Sequence, residues 1–134
     1  MLVATAALLA LLQTPYQDHQ CDDPQTQSDM NACAAIEFGQ ADAELNAAYR
    51  AAIAEARRLD AEIDRNYDTR PTSEEKLREA QRAWLVFRDA HCTFEAYGDA
   101  RGGSMEPMSY EVCRTALTRE RTEQLGGPPE PAAE

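Results

Sequence analysis

The stretch AQRAWLVFRDAHC, residues 80–92, places a tryptophan, a phenylalanine, two arginines, an aspartate, a histidine and a cysteine within about four helical turns. How these side chains divide between core and surface decides the fold. The apolar positions of the surrounding segment are Leu77, Ala80, Trp84, Phe87, His91 and Phe94, with Ala83, Ala90 and Tyr97 alongside, at steps of three and four. That period predicts an amphipathic helix with Trp84, Phe87 and Phe94 turned to the core. Upstream, NYDTRPTSEE supplies a turn, and Thr72 followed by Glu75 has capping-box spacing, so the helix starts there. Downstream, YGDARGGSMEP ends it with glycines and a proline.

Working outward, the segment from Met30 to Ile63 repeats Ala34, Phe38, Ala41, Leu45, Ala48, Ala52, Ala56, Leu59 and Ile63 at the same steps, uninterrupted by proline. This predicts a first helix that begins between Thr26 and Ser28, where hydroxyls can cap free N–H groups, and runs to about Arg65. A third helix is expected from Pro107 or Met108 to Leu125, followed by a disordered tail, residues 126–134. The fold class is therefore all-α: a small helical hairpin plus a third helix.

The N-terminal MLVATAALLALL has no charge and no breaker, and at twelve residues it falls short of the roughly 20 needed to span a bilayer. It matches the apolar core of an export signal, so residues 1–20 are expected to be a signal peptide and leader. The polar QDHQ before Cys21 is not a lipid-attachment motif, and no stable membrane anchor is expected. Cys21, Cys33, Cys92 and Cys113 form an even set in a chain with an export signal, which reads as two disulfides and a periplasmic or secreted location. Zinc is the rival reading, since His19 lies near Cys21 and His91 adjoins Cys92, but no paired-ligand spacing is present, so neither metal nor cofactor is expected.

Helix heights suggest the pairing. If helices two and three run antiparallel about a loop centred near residue 103, Cys92 and Cys113 fall level. Cys21 and Cys33 are left to each other. Each bridge would stabilise so small a domain by about 3 kcal/mol on the loop-entropy estimate.

The formal net charge is −11. From Asp18 to Asp68 there are twelve acids against four arginines. Such a surface repels phosphate backbones and anionic lipid, which excludes nucleic acid as the expected partner, and it would attract a basic protein. Enzyme chemistry would have to be built from His91 with Glu95, or from His91 with Cys92. An oxidised Cys92 supplies no thiolate, and adjacent helix positions diverge by about 100°. A His-Glu pair one turn apart is an ordinary helix contact. No phosphate loop, hydrolase elbow or zinc-protease motif is present, so no catalytic residues are expected.

The blocks CDDPQTQSDMNACA, ADAELNAAY, AQRAWLVFRDAHC, GGSMEPM and CRTALTRERTEQL resemble, in order and spacing, those of the LprI-type lysozyme-inhibitor family. The resemblance spans residues 21–125. It implies an exported helical domain stapled by cysteines and, from the family's named member, inhibition of lysozyme; together with the acidic excess, the expected function is non-catalytic inhibition of a basic lysozyme-type hydrolase. The alternative is an envelope protein-interaction module without inhibitory activity. Oligomeric state is not legible.

The polar members of these blocks have a structural reading. Asp42 and Asn46 lie one turn apart on helix one, and Gln81 and Arg88 two turns apart on helix two, flanking Trp84. In a hairpin turning near residue 68, Arg88 would stand level with Ala48 and Tyr49, within reach of Asn46, and a network of Asp42, Asn46, Gln81, Trp84 and Arg88 would fix helix register. Arg82 or Asp89 would remain available to a partner. Peptide mapping of the exported protein under non-reducing conditions should join Cys21 to Cys33 and Cys92 to Cys113; any other pairing contradicts the helix heights.

Overall fold

The computed structural model describes residues 21–128. The expected signal peptide, 1–20, and the end of the expected tail, 129–134, lie outside the described residues. Three helices follow in order: α1, Gln27–Asp60; α2, Ser73–Ala100; and α3, Glu106–Gln124. Arg57 reaches Glu74, and Gln81 pairs with Arg121, so the helices run up, down and up. α3 packs on both α1 and α2 more extensively than those two pack on each other. The hairpin is thus splayed, and the third helix fills its cleft.

Local chemistry explains each boundary. The Thr26 hydroxyl accepts from the Asp29 backbone N–H at the start of α1. α1 ends at Asp60, short of the expected Arg65. The Asp60 carboxylate accepts from the backbone N–H groups of Ser73 (2.8 Å) and Glu74 (3.0 Å), which ties the end of α1 to the first turn of α2. Asp64 then holds Asn66, and Asp68 holds Arg70, in side-chain-to-backbone turns that compete with further helix. α2 opens with the anticipated capping box, Thr72 and Glu75 each bonding the other's backbone N–H. α3 closes in a Schellman arrangement: Gly127 N–H bonds the Thr122 carbonyl and Gly126 N–H the Glu123 carbonyl. Gly126, at φ +106°, takes a conformation that L side chains rarely adopt. The first residues of the expected tail therefore form the helix cap.

Both disulfides are present. Cys21 is bonded to Cys33, folding the entry segment back on α1, and Cys92 to Cys113, joining α2 to α3.

The core is thin and partly polar. Its apolar members are Ala34, Ala41, Leu45, Ala48, Ile53, Ala56, Ala96 and the Cys92–Cys113 pair, beside buried Gln81, Arg88, Thr115, Thr118 and Thr122. Along α1 the expected stripe holds at Ala34, Ala41, Leu45, Ala48 and Ala56, while Leu59 is 43% exposed and Ile53 is buried in its stead. Along α2 the expectation fails. The buried positions are Gln81, Arg88, Cys92 and Ala96, and Trp84 is half-buried, whereas Phe87 is 55% and Phe94 73% exposed. The inner face of α2 is taken by groups that bond α3, with Gln81 on Arg121, Arg88 on Thr118 and Cys92 on Cys113, and the phenylalanines turn outward.

Two outcomes test this packing. Among the described residues the Thr115 hydroxyl is buried with no hydrogen-bond partner. Replacing it by the isosteric valine, Thr115→Val, should raise stability by about 1 kcal/mol in chemical denaturation, because an unpaired buried polar group is costly.

The Glu74 carboxyl lies at about 2, below its ordinary 4.5, because Arg57 and Arg78 donate to it. A depressed carboxyl contributes stability that is complete above 4.5 and is lost as pH falls towards 2. The melting temperature should fall across that window, and Glu74→Gln should flatten the fall.

Candidate functional site

Buried Arg88 organises the interior. Its Nε donates to Asp89 Oδ1 at 2.9 Å, its Nη1 donates to Thr118 Oγ1 at 3.3 Å, and Nη1 lies 3.6 Å from Asp42 Oδ1. The guanidinium also sits between two rings, 5.1 Å from the centroid of Phe38 and 5.2 Å from that of Trp84. Each ring faces a second arginine: Arg114 lies 3.7 Å from the Phe38 centroid and Arg121 6.0 Å from that of Trp84. Tyr110 covers Arg114 at 4.5 Å. The result is an alternating ladder of arginines and aromatic rings that crosses all three helices. Flat guanidinium groups are suited to this, since they stack on ring faces while donating at their edges.

Of the five residues expected to form a network, Trp84 and Arg88 belong to this ladder, Asp42 and Gln81 meet its arginines, and Asn46 meets Asp42 in place of the expected Arg88. Asn46 donates to Asp42 Oδ2 at 3.2 Å, so Asp42 stands between Asn46 and Arg88. Gln81 accepts from Arg121 Nε at 3.0 Å, and Arg121 in turn lies near the Trp84 ring. Asp89 accepts from Arg88 and lies 4.0 Å from Arg114 with its side chain still 48% exposed, and Arg82 is exposed as well. Phe38, Arg114, Thr118 and Arg121 were missed. Thr115, Thr118 and Thr122 recur at steps of three and four, which was the available sign of a hydroxyl-lined inner face on α3.

The outer face of α2 is the opposite of the inner one. Val86 (73% exposed), Phe87 and Phe94 stand in solvent, and the His91 imidazole bridges the two phenylalanines. It is stacked on Phe87 at 5.3 Å and tilted against Phe94 at 6.4 Å. His91 Nε2 lies 3.1 Å from Glu95 Oε1. Exposed aromatic side chains gathered on one face are the kind of surface that protein partners cover.

The ridge carries the His91–Glu95 pair. Its His-Glu pair faces no free thiol among the described residues, because Cys113, whose sulfur lies near both, is bonded to Cys92. Shallow depressions occur elsewhere, one lined by Thr93, Ala96, Tyr97 and Tyr110 and another by Ala52, Leu59, Leu77 and Leu125. No helix among the described residues is long and apolar enough to cross a membrane.

The ladder predicts the effect of losing its centre. Arg88→Ala should cost about 3 kcal/mol in equilibrium unfolding, near the lower end for breaking a buried ion pair, because Asp42 and Asp89 retain access to water. Arg88→Lys should also be destabilising, since a single ammonium cannot face two rings and three acceptors together.

Comparison with known proteins agrees with the residue-level resemblance. The family described as lysozyme inhibitor LprI matches residues 19–125. An uncharacterized protein of Rhizobium meliloti (strain 1021) is 41% identical over 113 residues, a match that covers 84% of this chain and 79% of that protein. No solved structure matches the chain. With three helices, two disulfides and the family match across most of its length, the chain belongs to the LprI lysozyme-inhibitor family.

Proposed function

We propose that the protein is an exported, non-catalytic inhibitor of a basic lysozyme-type cell-wall hydrolase, and that the α2 ridge of Phe87, His91 and Phe94 is its contact surface. The observation that carries this reading is the ridge itself, large aromatic side chains exposed on a chain of net charge −11. A second copy of so acidic a chain would be repelled. A cationic protein would be drawn in, its approach hastened by the opposite field and its hold supplied by the desolvated rings. Two disulfides suit the oxidising periplasmic or secreted environment in which such hydrolases act. Family membership supports the inhibitor class. The second reading, an envelope interaction module without inhibitory activity, would use the same ridge.

Acids that hold the fold together cannot serve as test positions. Asp60 caps α2, Asp64 holds Asn66 and Asp68 holds Arg70, whereas Asp22 and Glu44 are exposed.

Inhibition of several lysozymes should be measured at low and moderate salt. The association rate should fall as salt rises, because the screening length shortens to about 8 Å near physiological ionic strength. Phe87→Ala with Phe94→Ala should weaken inhibition at least tenfold through faster dissociation while leaving the melting temperature nearly unchanged. Asp22→Lys with Glu44→Lys should chiefly slow association. If no lysozyme is inhibited at micromolar protein and low salt, the inhibitor reading fails and the interaction-module reading replaces it.

A further inference from the structure

The ligating atoms of His91 and Glu95 on α2 and of Cys113 on α3 all lie within 4.8 Å of one another. Sequence adjacency suggests Cys92 as the neighbour of His91. The fold instead delivers the other half of the disulfide, because Cys113 crosses the seam between α2 and α3 to meet Cys92 at 2.05 Å.

We propose that the Cys92–Cys113 disulfide masks a zinc site, which a dithiol reductant opens and in which the Cys113 thiolate, His91 and Glu95 are ligands. This inference is independent of the inhibitor reading. A tetrahedral zinc ion, with bonds of about 2.3 Å to sulfur and about 2.0–2.2 Å to nitrogen or oxygen, spaces its ligand atoms about 3.3–3.8 Å apart. Small side-chain rotations bring the set to that spacing. Thiolate, imidazole and carboxylate together suit zinc and not magnesium or calcium, which take oxygen ligands.

The surroundings are favourable in two ways. The stack on Phe87, with ring planes 18° apart, fixes the plane of the His91 imidazole, and ligand orientation by neighbours of this kind raises affinity. The seam itself does not depend on the disulfide alone, since Arg88 with Thr118 and Gln81 with Arg121 hold α2 against α3 on one side of it. Side chains of His91 and Glu95 are 35% and 50% exposed, which gives the ion a path in.

The chemistry balances. One thiolate of the dithiol attacks a sulfur of the bridge, and its second thiol closes to a cyclic disulfide; two electrons pass to the protein, leaving Cys92 and Cys113 as thiols. Zinc then displaces the Cys113 proton to solvent and binds neutral His91 and ionised Glu95. With one thiolate and one carboxylate, the divalent charge is neutralised.

Cys92→Ser provides the cleanest test, because it frees Cys113 without a reductant and leaves the Cys21–Cys33 bridge intact. Zinc should be titrated into this variant in competition with a chromophoric chelator, with cobalt(II) as a spectroscopic stand-in and circular dichroism to monitor helix content. One zinc per chain should bind, and cobalt should give a sulfur-to-metal charge-transfer band. Adding His91→Ala or Glu95→Gln should weaken binding at least about 100-fold, the upper range for losing even a ligand's outer partner. Oxidised wild-type protein should not compete with the chelator. Should Cys92→Ser lose its helices, wild-type protein reduced with a phosphine decides: zinc should raise its melting temperature, and should not do so for His91→Ala with Glu95→Gln. Equal affinity with and without His91 and Glu95, or equal binding by the oxidised protein, would overturn the proposal.

Discussion

Everything else in the structure is arranged around a charge placed where a small helical domain would ordinarily put a leucine. Arg88 has 6% of its side chain exposed and is held by Asp89, Thr118, Asp42 and the faces of Phe38 and Trp84. Removing a guanidinium from water is costly unless donors and faces are both satisfied, so the partners have to arrive together. They come from all three helices. Correct assembly is thereby a condition for burying the charge, which makes helix register part of the same constraint.

The consequence reaches the outer surface. Arg88, Gln81 and Cys92 occupy the inner face of α2, and the aromatic residues that share the helix are displaced outward, where Phe87, His91 and Phe94 form a continuous ridge. Stability is taken instead from alanines that allow close approach, from threonine hydroxyls on α3 and from two covalent bridges. A scaffold of this kind leaves large apolar side chains free for a partner, at the expense of a thin core.

This arrangement also explains what the sequence could and could not disclose. Caps and breakers act locally, so the start of α2 at Thr72 and the helix-ending glycines were legible, and the level of Cys92 with Cys113 followed from counting residues around one loop. The end of α1 was not, because Asp60 leaves off serving its own helix in order to cap another thirteen residues away. The face of α2 was misread for a deeper reason. Hydrophobic period assumes that the apolar stripe faces inward, and here two interleaved stripes, one of Trp84, Phe87 and Phe94 and one of Gln81, Arg88 and Cys92, compete at the same spacing. Only the partners on α1 and α3, remote in sequence, decide between them. Asp42, Asn46, Gln81, Trp84 and Arg88 could be named as a group, but their order along the ladder depended on Phe38, Arg114 and Arg121.

The central claim is that α2 turns its arginine in and its phenylalanines out. Nuclear magnetic resonance with a soluble paramagnetic cosolute, which broadens signals from groups it can approach, measures this directly. The account predicts strong broadening of the Phe87 and Phe94 ring signals and a sheltered Arg88 side-chain N–H signal with contacts to the Trp84 and Phe38 rings. Sheltered phenylalanine rings beside a broadened Arg88 would contradict it.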